Sequence, residues 1–489
     1  MKRLLSILHM IGFTMMLFSL SMLIPAGVAA YTDDGTLHAF LEAFVLSLGL
    51  GLAAYALTRG HQRELQPRDG FLLVALVWTV LPALASIPFL ISFRDLGTPL
   101  RFSVAYFEAM SGITTAGSTS LSHLGELPPA IHVWRATLVW MGGMGILVLA
   151  VAVLPLLGVG GSQVFRAETP GPMKDEKLTP RMAGTAKALY AIFAGISLLC
   201  WGAYYLAGLR GVDAFVHMAG TVALAGISTQ DASMAGFDSP GVEFVAMVFM
   251  TVAAINFATH FTVWRERSLR SYFACQQTPY LLTILLVTGL AVSAVLFARG
   301  TYPDVLSALR FGMFNTISIA TTTGFASADY AAWPVFAPVL MLFVSCFTAS
   351  SGSTGGGIKL IRMLLIVRQV RYELLRLVHP RAVSPIRLSD RIVESRVLHG
   401  VLAFLALYLI ALVAITLLLL LTGLDALTAI TAALACLNNT GSGLGAIGPT
   451  GSFATLSTPQ LWICTFSMLL GRLELLTVLV LFTPAFWRK

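Results

Sequence analysis

Apolar residues fill this chain in long, nearly unbroken stretches: 4–30, 37–58, 70–93, 130–158, 184–208, 241–264, 279–298, 334–367, 397–422 and 459–486. A helix needs about 20 largely apolar residues to cross a bilayer, so the pattern predicts ten membrane-spanning helices. The first stretch opens with Lys2 and Arg3 and ends near "GVAA", as a secretory signal does. Its apolar part exceeds the roughly 7–15 residues of a signal core, and it reads as a retained helix.

Four times, a spanning stretch is followed by a shorter apolar segment, a Gly- and Thr-rich run and another stretch. The runs are "SGITTAGSTSL" (111–121), "ALAGISTQDAS" (223–233), "IATTTGFASADY" (319–330) and "CLNNTGSGLGAIG" (436–448). One glycine from each aligns, Gly117, Gly226, Gly324 and Gly441, at intervals of 109, 98 and 117 residues. Repetition on this scale predicts one supersecondary unit used four times.

About 12 helical residues span about 18 Å, against a hydrocarbon core of about 30 Å. The short segments must therefore enter and return on one side. Irregular backbone at that depth needs protein or water around it, which points to one central aqueous path. Asp213, Asp304 and Asp425 stand where they would cap the second, third and fourth short helices, and Ser103 takes that place in the first. Pro128, Pro240, Pro334 and Pro459 open the helices that follow.

A half-helix entering from outside aims its C-terminus, with roughly half a negative charge, at the centre of the membrane. Four such ends favour a cation. Gly lets consecutive carbonyls point one way, and a ring of carbonyls replaces the water shell of a weakly hydrated ion. No carboxylate lies in the four Gly/Thr cores, which argues against a ring of acids for divalent ions.

Composition agrees with the pattern: 57% hydrophobic residues, 11% charged and a mean hydropathy of +0.83, where a soluble domain carries roughly 25% charge. The net charge of +8 does not imply nucleic acid. Of 31 Lys and Arg, 24 fall on segments that share one side, and six (Arg94, Arg101, Arg135, Arg210, Arg299, Arg310) fall on the other. That asymmetry places both termini in the cytoplasm. Cys200, Cys275, Cys346, Cys436 and Cys464 have no paired spacing and read as inert thiols.

The order of spans and the motifs "TTTGFASADY", "NNTGSGLGAIGP", "SSGSTGGGIKLIR", "FRAETPGPMKDEKLTPR" and "MLLGRLELLTVLVLFTPAFW" resemble the Trk/Ktr/HKT superfamily of potassium transporters, in particular the membrane subunit of the bacterial Trk system, over essentially the whole chain. The resemblance implies an all-α integral membrane protein of ten helices. Two N-terminal helices (1–66) precede four tandem helix–pore loop–helix repeats (67–160, 161–266, 267–392, 393–489) around one pseudo-fourfold pore.

It implies potassium uptake across the bacterial inner membrane through a filter formed by Thr114, Thr115, Ala116 and Gly117; Leu224, Ala225, Gly226 and Ile227; Thr321, Thr322, Thr323 and Gly324; and Asn438, Asn439, Thr440 and Gly441. Potassium would sit at Thr115, Thr322, Thr323, Asn439 and Thr440. The second repeat departs from the family: "LAGIST" stands where a Thr-Gly-Gly-Phe form is usual, so Leu224 and Ala225 remove a hydroxyl and a glycine.

The stretch 334–367 is interrupted by Gly352, Ser353, Thr354, Gly355, Gly356 and Gly357, followed by Ile358 and Lys359. A helix disfavours such a run, since each Gly costs about 1 kcal/mol relative to Ala. A nucleotide loop would end in Gly-Lys-Ser/Thr, which this does not. Two readings stand: close helix packing through small residues, or an unwound segment, which the resemblance implies is a movable gate. Arg472 lies about 13 residues from either end of its stretch, too deep to snorkel. It reads either as a positive barrier in the ion path, as in the family, or as a structural cation held by a buried acid or helix carbonyls. Glu474, two residues on, points away from it.

Glu108 contributes to the mouth's field, to packing or to capping. His217 reads as a hydrogen-bonded wall residue. Asp231, Asp238 and Asp329 would concentrate cations at the outer mouth. No linker holds a soluble domain, so a nucleotide sensor must be another chain. The resemblance implies a homodimer with a cytosolic ring of TrkA-type subunits binding NAD or ATP. The basic loops 166–181 and 368–396 are candidate contacts for such subunits or for anionic lipid. The resemblance implies that the transported ion is potassium, and no organic cofactor is expected. A cation-coupled symporter driven by H+ or Na+ is the alternative. Inverted repeats of the common secondary transporters do not fit four repeats of one orientation, and the spans lack the nucleophile–base pairs of an enzyme.

Overall fold

The computed structural model describes residues 2–60, 66–148, 179–381, 385–388 and 391–488. Six helices among them are long and apolar enough to cross a membrane: Leu4–Thr32, Leu37–Thr58, Arg68–Asp95, Ala186–Leu206, Gln277–Ala298 and Ser395–Leu421. Five of the six, all but Arg68–Asp95, expose large apolar side chains. In Gln277–Ala298, Thr278 and Ser293 are buried while Leu286, Val287 and Leu290 are exposed. That is the arrangement of a helix whose solvent is hydrocarbon.

Two further stretches are bent. Pro240–Ala254 and Phe257–Glu266 meet at 92°, and Thr458–Arg472 and Leu475–Phe482 meet at 110°. Counting each pair as one span gives eight among the described residues. Both breaks correct an expectation of continuous helices, and both have a local cause. Ile255 is extended, Asn256 accepts the Ala258 amide at 2.8 Å to begin a new helix, and the Phe257 amide donates to Gly352 O at 3.0 Å. Glu474 has φ +60°, and its carboxylate meets Arg362 at 2.8 Å.

Of the stretch 130–158, the helix Pro129–Val148 is described; 149–158 lie outside the described residues. So do 166–178 of the first basic loop and most of the motif "FRAETPGPMKDEKLTPR". The stretch 334–367 becomes Phe336–Ser345 and Leu360–Val378 with a non-helical segment between. Among the described residues the purely helical expectation has one small exception. Arg387–Leu388 pairs antiparallel with Arg391–Ile392, and Leu388 is buried with Ile361, Leu365, Val397 and Val401.

The four short helices are Phe102–Ile113, Gly211–Val222, Val305–Ala320 and Ala426–Asn438. Asp304 caps the third by accepting the Ser307 amide at 2.7 Å, and Asp425 caps the fourth by accepting the Thr428 amide at 3.0 Å. The Ser307 amide and hydroxyl hold the exposed Asp304 carboxyl below the usual carboxylate range, and the Thr428 hydroxyl and amide do the same for Asp425. For the second the expected carboxylate cap is corrected: Arg210 is the N-cap without a side-chain bond, and Asp213, already in the first turn, accepts the Thr229 hydroxyl. In the first helix Arg101 is the N-cap without a side-chain bond, and Ser103 is already helical. The expectation of a serine cap there is corrected: the chain enters the helix two residues earlier than the hydroxyl requires.

Candidate functional site

Each short helix ends in the same backbone device. Two positions ahead of the aligned glycine, Thr115, Leu224, Thr322 and Asn439 all have positive φ, at 51°, 53°, 63° and 52°. Three of these are Thr or Leu, which rarely adopt this region. Their recurrence marks a conformation imposed by the surroundings. Gly117, Gly324 and Gly441 follow at φ 77°, 91° and 86°.

The four segments close on one another. A Cβ placed on Gly117 would lie 2.7 Å from Gly226 N; on Gly226, 2.6 Å from Gly324 C; on Gly324, 1.9 Å from Thr440 O; on Gly441, 2.6 Å from Ala116 O. The order 117, 226, 324, 441 and back to 117 is a ring of backbone with one member from each repeat. Gly226 lacks the positive φ of the others and is required by proximity alone. Its amide also donates to Thr323 O at 2.5 Å. All four glycines line one cavity of about 70 Å³, together with Arg135, Gln230, Asp231 and Ser442.

Side chains beneath the ring divide into free and committed groups. Thr115 Oγ1, Thr440 Oγ1 and Asn439 Oδ1 are buried and meet no protein partner among the described residues. Thr322 Oγ1 accepts the Gly356 amide at 2.9 Å, and Thr323 Oγ1 pairs with Thr321 Oγ1 at 2.8 Å. Thr114 and Thr321 donate back to the helix carbonyls of Met110 and Ile317. Asn438 turns away: its Oδ1 accepts from Tyr408 at 2.7 Å and its Nδ2 donates to Ser345 at 3.2 Å. Ala116, Leu224, Ala225 and Ile227 are buried and bring only backbone polar groups.

The non-helical segment between Ser345 and Leu360 folds directly under this ring. Thr354 Oγ1 donates to Val222 O, the last carbonyl of the second short helix, at 3.1 Å. A Cβ on Gly356 would lie 1.9 Å from Asn438 O, and one on Gly355 would lie 3.1 Å from Thr321 O. The segment therefore touches the ends of the second, third and fourth short helices. Gly352 accepts from Phe257, Ser353 donates to Ser350 O, Gly357 has φ 78°, and the Lys359 ammonium donates to Gly355 O.

Arg472 ends the helix Thr458–Arg472 and is buried, and its Nη1 donates to Thr354 O at 2.8 Å. Its Nε and Nη2 meet no protein acceptor among the described residues. Glu474 is taken by Arg362, whose guanidinium also lies 4.0 Å over the Phe404 ring. Among the other residues read from sequence, His217 is buried between Asp213 O and Ser228 Oγ. Asp231 accepts the Leu124 amide, Asp238 pairs with Arg310, and Asp329 accepts the Ala331 amide.

Two residues that sequence reasoning passed over are Gly142 and Gly471. A Cβ on Gly142 would lie 2.1 Å from Ile113 O, and one on Gly471 would lie 2.1 Å from Leu437 O. Each lets the helix after a ring segment pass against the carbonyl end of its short helix. Their spacing from the ring glycines differs, 25 and 30 residues, and other glycines such as Gly143 and Gly145 follow as well, so the local sequence does not single them out.

The profile of the TrkH family, described as "Cation transport protein", matches residues 36–489. The Trk system potassium uptake protein TrkH of Halomonas elongata is 42% identical over 99% of both chains. The protein of that name from Salmonella typhimurium is 40% identical over 99% of both. The crystal structure of the potassium transporter TrkH from Vibrio parahaemolyticus superposes with a TM-score of 0.91 at 40% identity, covering 99% of this chain and 100% of that one. These relatives are named transporters and not enzymes, and the apolar helices fit a multi-pass protein of a bacterial membrane. The chain belongs to the TrkH family of cation transport proteins.

Proposed function

We propose that this chain takes up potassium as the membrane subunit of a Trk system, through a filter made by the four ring segments. The observation that carries the reading is the closed ring itself. Four backbone segments, each at the carbonyl end of a half-length helix, approach within van der Waals contact at glycines. Four helix C-termini supply negative potential on one axis. Carbonyls, with the free oxygens of Thr115, Asn439 and Thr440, replace the water of a large monovalent ion. The ten-helix, four-repeat pore belongs to this proposal. Pro129–Val148 and the interrupted pair Phe336–Ser345 and Leu360–Val378 would complete the eight spans counted above.

In the same reading Gly352–Gly357 with Lys359 is the gate, and Arg472 is a positive barrier beneath the filter. Contacts of the segment with three short helices support the first. A buried guanidinium with donors to spare supports the second. The chain would work as a homodimer in the inner membrane, both termini cytoplasmic, with anionic lipid and TrkA-type subunits binding NAD or ATP on the cytoplasmic face. Coupling to protons or sodium is the alternative.

Purified protein in liposomes, followed for rubidium uptake down a potassium gradient with and without a pH gradient or a sodium gradient, tests both. Uptake independent of the pH and sodium gradients supports a channel. Uptake that requires either gradient supports a symporter. No rubidium uptake under any gradient contradicts the proposal.

A further inference from the structure

Nine positions ahead of each ring glycine, the short helices carry Glu108, His217, Asn315 and Ala432. The first three are buried and fasten the chain that returns from their own glycine. Glu108 accepts the Ser120 amide at 2.9 Å and the Thr119 hydroxyl at 3.1 Å. His217 Nε2 meets Ser228 Oγ at 3.0 Å. Asn315 donates to Ser327 Oγ at 3.0 Å and accepts the Ser327 amide at 3.2 Å. In the fourth repeat Thr431, beside Ala432, accepts the Leu444 amide and donates to its carbonyl, both at 3.1 Å.

The first brace is built on an ion pair. Arg135, on Pro129–Val148, donates through Nε to Glu108 Oε1 at 2.8 Å, with the side chains 2% and 3% exposed. Its Nη1 donates to Ser228 O at 3.0 Å, the residue that His217 holds. That Nη1 also lies 3.5 Å from His132 Nδ1, while His132 Nε2 faces Leu124 O at 2.8 Å. Nε2 therefore carries the hydrogen and Nδ1 is an acceptor. One guanidinium thus ties the return segment of the first repeat, through Glu108, to that of the second. The second repeat is the one whose sequence lost a hydroxyl and a glycine. It is held from both sides: Arg135 takes Ser228 O, and its own Gly226 amide reaches Thr323 O.

A buried ion pair is weak evidence for stability, because desolvation offsets its attraction. Here the directional bonds do what neutral groups do in the other repeats, and they do it across two of them. Resting on the potassium-filter reading, we propose that Glu108 and Arg135 are positioning residues for ion selectivity. The pair fixes the spacing of the first and second filter segments, and with it the fit of their oxygens to potassium over sodium.

The test is the rubidium-to-sodium flux ratio of reconstituted full-length protein. Glu108→Gln and Arg135→Gln each lower the ratio by about tenfold, the effect of one charge-assisted hydrogen bond, while rubidium flux persists. The double variant lies nearer wild type than either single, because neither charge is left unpaired. Arg310→Gln breaks another ion pair, the partly exposed one with Glu243 and Asp238, whose bonds do not reach the segments adjoining the glycines. It lowers the thermal midpoint and leaves the ratio in place. An unchanged ratio in the single variants, or an equal change in Arg310→Gln, overturns the proposal. Should the charge variants fail to fold, Thr119→Val, which removes the hydroxyl donor to Glu108 together with the acceptor of the Leu121 amide, decides by the same ratio. Selective wild-type flux with unaltered variants overturns the brace alone. Absence of rubidium flux in wild type overturns the filter reading and the brace with it.

Discussion

Gly324 presses against Thr440: a Cβ on the glycine would lie 1.9 Å from the threonine carbonyl oxygen, and its φ of 91° already excludes most side chains. Gly324→Ser must therefore displace the fourth repeat's carbonyl or leave the left-handed region, at roughly 1–2 kcal/mol of backbone cost alone. Rubidium-over-sodium preference should fall by about tenfold, since 1.4 kcal/mol is one decade. Unchanged ion ratios in flux measurements on this variant would contradict the filter assignment.

Gly142→Ala and Gly471→Ala each place a methyl group 2.1 Å from a carbonyl at the end of a short helix. Overpacking of this kind costs about 1–3 kcal/mol. Both variants should lower the thermal midpoint in detergent, while Gly195→Ala, where nothing lies within 4 Å, should not. Equal midpoints for all three would show that the inner helices do not need this close approach.

The segment beneath the ring is tied to it by the Gly356 amide, which donates to Thr322 Oγ1 at 2.9 Å, and in the proposed reading this bond would link filter to gate. Deleting Gly355–Gly357 should raise leak conductance. Thr322→Val, which keeps the volume and removes the acceptor, should raise it less. Normal transport and normal regulation after the deletion would remove the gate from the account.

Arg472 holds the same segment through Thr354 O. Arg472→Ala should speed rubidium flux in liposomes, because it removes both the positive charge and this tether. Lost expression without any change in the flux of the protein that survives would instead assign it a purely structural role.

How far the sequence was legible depended on whether a signal was local. The half-length helices could be read, since a 12-residue apolar run before Gly and Thr has few other uses. The segment at 352–357 could be read only as far as two alternatives, close helix packing or an unwound segment, and the chain between Ser345 and Leu360 is non-helical. The bend at Asn256 was hidden in a continuous apolar stretch, where one side-chain cap outweighed the pattern around it. Positive φ at Thr115, Leu224 and Thr322 runs against residue type and is imposed by the closed ring. Glu108 and Arg135 are 27 residues apart on different helices, and Glu474 finds Arg362 across the chain. Pairings of that range are set by tertiary packing and leave no local trace.

Anomalous diffraction from crystals grown in rubidium tests the central claim most directly. The account predicts rubidium density on the axis enclosed by Gly117, Gly226, Gly324 and Gly441, flanked by the Thr115 and Thr440 oxygens. Rubidium bound elsewhere in the membrane region, with none inside that ring, would contradict it.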